Sequence, residues 1–168
     1  IVFEDEQCVI PQGKEELFES LSGECSHLYL AIDGVLVAVI AITDPIREEA
    51  PQVVSMLRKC GLSKIVMMTG DSERTAEVVA AKVGVDEYYS EVLPEDKASY
   101  VEKEHQAGRK VIMIGDGVND SPALSAADVG IAICDGAEMA REIADITIAG
   151  DNLEELVTLK RLSNALVK

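Results

Sequence analysis

Three stretches of this sequence gather acids, amides, a hydroxyl and a lysine in patterns suited to holding a phosphoryl group. The densest runs from Val111 to Ala123 and contains Gly115-Asp116-Gly117-Val118-Asn119-Asp120-Ser121-Pro122. Val111 to Ile114 reads as a buried strand of a parallel sheet, and the two glycines allow a sharp turn at its carboxyl end. Asn119 is placed to cap the following helix, with Asp120 in its first turn and Pro122 tolerated there. Asp116 then stands at the strand tip, where open α/β sheets present their ligands. Asp116 and Asp120, four residues apart with an amide between them, suit an oxygen-seeking cation such as Mg²⁺. The competing reading is a tight strand-to-helix turn with solvated acids, but a plain turn does not need two acids, an Asn and a Pro in that order.

Two more stretches fall at comparable loop positions. Thr69-Gly70-Asp71 follows Ile65-Val66-Met67-Met68 and precedes a helical pattern. A hydroxyl, an open glycine amide and a helix amino end can bind an anion together, although the same triplet also serves as an ordinary helix start. Pro94-Glu95-Asp96-Lys97 opens another helix and places Lys97 in its first turn, against the helix dipole. A nearby phosphate would account for that lysine; a solvated surface lysine is the alternative. Asp44-Pro45-Ile46-Arg47 marks the end of a strand and the start of a helix, and fits a hinge as well as a capped helix. Together the residues describe a phosphoryl site, with Mg²⁺ on Asp116, Lys97 as a point charge, and Thr69 and Gly70 as donors. Positioning and charge neutralisation of that kind carry most of phosphoryl transfer. A clear nucleophile is missing.

Placing those loops at one end of a sheet requires strand and helix to alternate. Residues 1–27 are acidic and weakly periodic, with Pro11, Gly13 and Gly23, and read as the end of another unit; Glu15 to Leu21 is a short helix candidate. Leu28 to Ile32 and Val35 to Ile42 are β-rich runs joined by Asp33-Gly34, a strong hairpin signal. Ile46, Val53, Val54, Leu57 and Cys60 then form a helical stripe ended by Gly61. Strands are expected at 64–68, 87–90, 110–114, 129–133 and 145–148. Helices are expected at 72–83, 95–106, 119–126, 137–143 and 152–167. Repeated βα units imply an α/β, Rossmann-like parallel sheet with helices on both faces.

Composition narrows the function classes. A length of 168 residues with 48% hydrophobic content suits a globular domain with a substantial core. The net charge of −16, with two phenylalanines, four tyrosines and no tryptophan, argues against a nucleic-acid or anionic-membrane partner. Cys8, Cys25, Cys60 and Cys134 form no C-x-x-C pair, so neither a zinc site nor a redox dithiol is signalled. His27 and His105 stand alone and are weak ligand candidates. The longest apolar run, Val35 to Ile42, is far short of the ~20 residues of a membrane-spanning helix. No signal peptide is recognisable, and the absence of an initiating methionine suggests processing or a piece of something longer.

Thr69-Gly70-Asp71, Pro94-Glu95-Asp96-Lys97 and Gly115-Asp116-Gly117-x-Asn119-Asp120-x-Pro122 resemble conserved segments of the phosphorylation domain of P-type ATPases, a domain of the haloacid dehalogenase-like superfamily. Met68-Thr69-Gly70-Asp71-x-x-Arg74-Thr75-Ala76 and Ala126-Ala127-Asp128-Val129-Gly130-Ile131-Ala132 resemble the heavy-metal-translocating branch. The resemblance is continuous from about Leu28 to the C-terminus. It implies that residues 1–27 are the end of a nucleotide-binding domain and 28–168 the phosphorylation domain. It implies Mg²⁺ on Asp116 with Asn119 and Asp120 in support, phosphoryl contacts from Thr69, Gly70 and Lys97 with Asp71 in the same catalytic segment, and a hinge at Asp44 and Pro45. It also implies a parent protein that uses ATP to move a heavy-metal cation across a membrane, with this segment on the cytosolic side. The family's phosphorylated aspartate belongs to an Asp-Lys-Thr-Gly-Thr motif that these 168 residues lack, so the segment alone is expected to be inactive. Two other readings stay open. Leu30-Ala31-Ile32-Asp33-Gly34-Val35-Leu36 resembles the first motif of small phosphatases of the superfamily, which would make Asp33 or Asp44 a nucleophile candidate, although Ala31 occupies the nucleophile position and Val35 the threonine position. A degenerate Mg²⁺-binding regulatory module is the non-enzymatic alternative.

Overall fold

The computed structural model describes residues 10–21, 26–42, 45–116, 119–134, 143–149 and 152–167. A short helix, α1 (Glu15–Glu19), precedes a hairpin of β1 (Ser26–Ile32) and β2 (Val35–Ile42). The two strands pair antiparallel, with a register shift at Leu30/Ala31. Asp33 and Gly34 form the two-residue loop, with φ of 50° and 79°. Positive φ at both positions is what a type I′ turn requires, and Asp-Gly is among the pairs that tolerate it.

Strand and helix alternate beyond the hairpin as expected: α2 (Ala50–Lys59), β3 (Val66–Met68), α3 (Glu73–Val83), β4 (Glu87–Tyr89), α4 (Pro94–Gln106), β5 (Ile112–Gly115), α5 (Ser121–Ala126), β6 (Val129–Cys134), β7 (Ile146–Ala149) and α6 (Glu154–Leu166). The helical stripe that starts at Ile46 in the sequence becomes helix only at Ala50. Pro51 explains the difference: it fits the first turn, where its missing N–H is no loss, but would break a helix begun four residues earlier. The helix expected at 137–143 lies outside the described residues except for Ile143.

The five strands after the hairpin are parallel. They form two ladders, β3–β4 and β5–β6–β7, rather than one continuous sheet among the described residues. Helices cover both faces. Val53 and Leu57 of α2 pack with Ile131 of β6, Ile148 of β7 and Leu156 and Val157 of α6. Val101 of α4 packs with Met113 of β5 and with Ala123 and Leu124 of α5, and Met68 of β3 leans on the same cluster. Neighbouring residues of a strand point to opposite faces, and Met113 joins the second cluster while Ile114 joins the first. The two clusters therefore lie on opposite sides of β5.

Asp128 ties the ends of these elements together. Its carboxylate accepts from Lys110 Nζ at 2.7 Å and from the Val111 amide at 2.9 Å, and it meets His105 Nε2 at 2.8 Å. The end of α4, the entry to β5 and the α5–β6 connection are joined in this way. The Lys110 ammonium, then the Val111 amide and His105, hold the Asp128 carboxyl well below the usual carboxylate range.

Two outcomes follow from the packing and the Asp128 cluster. Leu124→Ala, at a side chain 1% exposed, should cost about 2–5 kcal/mol in denaturant unfolding. Leu162→Ala, at a position 59% exposed, should stay within about 0.5 kcal/mol of the parent. A carboxyl whose folded-state pKa is depressed adds stability above its unfolded value, and that stability is lost as pH falls through the carboxylate range. Asp128→Asn should therefore weaken the fold at neutral pH and flatten the decline in thermal midpoint between about pH 5 and pH 2.

Candidate functional site

The site begins where β3 ends. The Thr69 amide donates to Tyr89 O at 3.0 Å and so extends the β3–β4 pairing by one residue. The Thr69 hydroxyl donates to Asp71 Oδ2 at 2.6 Å and accepts from the Asp71 amide at 3.1 Å, which closes a small turn ahead of α3. Gly70 lies in that turn, exposed; a Cβ there would meet nothing closer than Val92 O at 4.0 Å. Packing does not demand glycine at this position, and its backbone is open to approach.

Backbone hydrogen bonds lay the next segment against this turn. The Val92 amide donates to Thr69 O at 3.0 Å, and the Glu91 amide donates to Asp71 O at 2.9 Å. Two residues later α4 starts at Pro94, where the Leu93 amide donates to Asp96 Oδ2 at 3.2 Å. That bond caps the helix and explains the Asp in Pro94-Glu95-Asp96-Lys97.

Lys97, one turn into α4, reaches across to the loop after β5. Its Nζ donates to Asp120 Oδ1 at 2.7 Å, with side chains only 15% and 11% exposed. The lysine set against its own helix dipole thus has a carboxylate partner within the protein. Asp120 occupies the residue ahead of α5 but makes no side-chain cap bond. Oδ1 takes Lys97, and the rest of the carboxylate lies over Gly115, where a Cβ would stand 2.6 Å from Asp120 Cβ and 2.7 Å from Cγ. Gly115 is therefore glycine because the carboxylate rests on it. The cap expected at Asn119 is not formed: α5 starts at Ser121, one residue past Asp120, and Asn119 is exposed in the preceding turn.

Asp116 follows β5 directly and is exposed, with no hydrogen bond or ion pair to another described residue. A free carboxylate at a strand tip fits a hard cation whose other ligands are waters and phosphate oxygens. No group of three or more His, Cys, Asp and Glu side chains is gathered for a metal ion among the described residues. A continuous path of contacts thus joins the three stretches: the Thr69–Asp71 turn to Val92, α4 to Lys97, Lys97 to Asp120, and Asp120 to Gly115 beside Asp116. Asp44 lies outside the described residues; Pro45 is exposed in the irregular segment before α2. Asp33 sits in the hairpin loop, where its left-handed backbone serves the turn.

Sequence reasoning missed Glu73. It accepts from Tyr88 Oη at 2.8 Å and from Ser90 Oγ, joining the first turn of α3 to β4. The Ser90 bond, then the Tyr88 bond, lowers its pKa. The available signal was a glutamate in a helix's first turn, which fits any helix and names no partner.

The family model for haloacid dehalogenase-like hydrolases matches residues 3–128, and the chain belongs to that family. Among its relatives are heavy-metal P-type ATPases. It is 46% identical over 142 residues to Copper-transporting ATPase 2 of Rhizobium meliloti (strain 1021), covering 84% of this chain and 17% of that protein. It is 41% identical over 168 residues to the Zinc-exporting P-type ATPase of Mycobacterium marinum (strain ATCC BAA-535 / M), covering 99% of this chain and 23% of that one. Among solved structures, that of a zinc-transporting PIB-type ATPase superposes with a TM-score of 0.73 at 33% identity, covering 90% of this chain and 25% of that one. The chain spans about a fifth of the length of the curated relatives it matches.

The contact between Asp120 and Gly115 yields a contrast. Gly115→Ala should destabilise the fold by about 1–3 kcal/mol, because either the β5 tip or the paired Asp120 must shift. Gly70→Ala should leave thermal stability within about 0.5 kcal/mol, since a methyl group there has room.

Proposed function

We propose that this chain is the phosphorylation-domain segment of an ATP-driven heavy-metal cation pump. Residues 1–27 would end the nucleotide-binding domain, and the acceptor aspartate and the membrane helices would lie outside these 168 residues. The observation that carries the reading is the Lys97–Asp120 pair, held largely out of water beside the free carboxylate of Asp116. The family membership and the names of its relatives support it.

Asp116 would hold Mg²⁺, with Asp120 and Asn119 beside it, and the ion would offset negative charge on the phosphoryl oxygens. Lys97 would bring a second positive charge, with Asp120 fixing where its ammonium sits. The Gly70 amide and the Thr69 hydroxyl would donate to phosphoryl oxygens, and Asp71 would orient that hydroxyl through their existing hydrogen bond. Asp44 and Pro45 would form the hinge toward the nucleotide-binding side. Such a parent protein would sit in a membrane with this segment on the cytosolic side. ATP would be its substrate and the metal cation its cargo, and nucleic acid would have no part.

The test uses the purified chain and amide NMR. Mg²⁺ with inorganic phosphate should shift the resonances of Gly70, Thr69 and Asp116. Asp116→Asn should abolish the Mg²⁺ response, while Lys97→Met should keep that response and lose the phosphate-dependent part. With acetyl phosphate and Mg²⁺ the intact mass should not change. A hydroxylamine-labile phosphate on Asp33 or Asp44 would overturn the reading in favour of a stand-alone phosphatase, as would sustained Mg²⁺-dependent ATP hydrolysis.

A further inference from the structure

Arg74 is poorly placed for its own helix. It lies in the first turn of α3 (Glu73–Val83), where a cation opposes the helix dipole, and it is exposed. Lys97 stands likewise near the amino end of α4, and Asp120 accounts for it. Arg74 has a partner of another kind. Its Nη2 donates to the backbone oxygen of Leu21, 53 residues earlier, at 3.1 Å.

Leu21 closes the turn after α1, with its amide donating to Phe18 O at 3.2 Å. Carbonyls at the carboxyl end of a helix lack partners within the helix, and a cation is favoured there. α1 has no basic residue in its last turn, so Arg74 supplies from α3 what α1 lacks. The contact reaches beyond one carbonyl, because Phe18 of α1 meets the Tyr29 ring at 5.8 Å and β1 pairs with β2. Neither apolar cluster of the α/β unit contains a residue before Val53, so those cores do not set where residues 10–42 lie. On its own side Arg74 is firmly based. Thr75 and Ala76, which follow it, are buried, and Glu73, which precedes it, accepts from Tyr88 Oη and Ser90 Oγ. Three residues upstream is Asp71, bonded to the Thr69 hydroxyl. Both sides of the contact are acidic: residues 1–27 hold seven Asp and Glu against Lys14 alone, and Asp71 and Glu73 lie beside Arg74 in sequence. Charge of one sign on both sides opposes their approach, and a guanidinium between them offsets it.

We infer that Arg74 is a positioning residue: it holds the segment ending at Leu21 to the amino end of α3 and so fixes the orientation of residues 10–42 relative to the Thr69–Asp71 turn. The bond joins a charged donor to a neutral carbonyl at an exposed place, which makes it a contact that can open without disturbing either core. The orientation itself stands on the contact alone. Its consequence, that Arg74 sets how the N-terminal part meets a phosphoryl group on Thr69 and Gly70, rests on the reading given above.

The test measures backbone amide residual dipolar couplings of the 168-residue chain, with Arg74→Met and Arg74→Lys. In the parent chain the couplings of residues 10–42 and 45–167 should fit one alignment frame. Arg74→Met should require two frames, and the Ser20 and Leu21 amides should exchange about tenfold faster. Arg74→Lys, which keeps a charged donor, should return the chain to one frame. The thermal midpoint of the α/β unit should be the same in all three proteins, since Arg74 is exposed. Two frames in the parent chain, or one frame in Arg74→Met, would overturn the inference. A lowered α/β midpoint in both variants would overturn it in favour of a role confined to α3. The shift of Gly70 with Mg²⁺ and inorganic phosphate should persist in Arg74→Met. Its absence from the parent chain would count against the phosphoryl-site reading, while the alignment frames would still decide the role of Arg74.

Discussion

An ammonium and a carboxylate held 2.7 Å apart with little access to water fix the geometry of the strand-tip loops where we propose the phosphoryl site. Removing both charges from solvent is costly, and the cost is recovered only while both partners stay in place. Lys97 comes from the first turn of α4 and Asp120 from the residue ahead of α5, so the pair constrains the amino ends of two helices at once. The same constraint reaches the β5 tip, because the Asp120 carboxylate rests on the backbone at Gly115. Asp116, the next residue, inherits its position from that contact.

The apolar core makes the constraint possible. Val101 of α4 and Ala123 and Leu124 of α5 pack on Met113 of β5, two residues before the glycine that the carboxylate covers. The helices that carry the charged pair are thus held to the strand that carries the free acid. At the far end of the same elements, Asp128 joins the close of α4 to the entry of β5. Polar contacts at both ends and apolar contacts between them leave these elements little freedom to slide. That rigidity suits the proposed chemistry, which depends on placing charge accurately around a phosphoryl group.

The hairpin follows a different logic. Its strands pair with each other and turn through Asp33-Gly34 without help from the α/β part. On one side Leu36 is buried and Tyr29 meets the Phe18 ring of α1, and the other carries exposed leucine, isoleucine and valine. The α/β unit closes its own core between helices on both faces of its parallel strands, so the two parts meet the solvent with different completeness.

Much of this was written in the local sequence. Asp33-Gly34 announced its turn, because few residue pairs accept positive φ twice in succession. The alternation of apolar runs and helical stripes marked out the parallel strands, and Gly115 to Pro122 marked the strand tip and the acids beside it. These features are local, set by backbone sterics and by spacing along a few residues. Pro51, which delays α2 to Ala50, was equally visible but outweighed by the apolar stripe around it. Partnerships across long stretches of chain were not legible. That Asp120 would spend its carboxylate on Lys97, 23 residues away, rather than on a helix cap could not be read from either neighbourhood. The same holds for Glu73 with Ser90 and for Asp128 with Lys110. The sequence by itself determined which residues could hold charge and where the chain would turn. Tertiary structure alone settled which charges meet, because a carboxylate has several partners of comparable strength in water and only burial among packed helices makes one of them prevail.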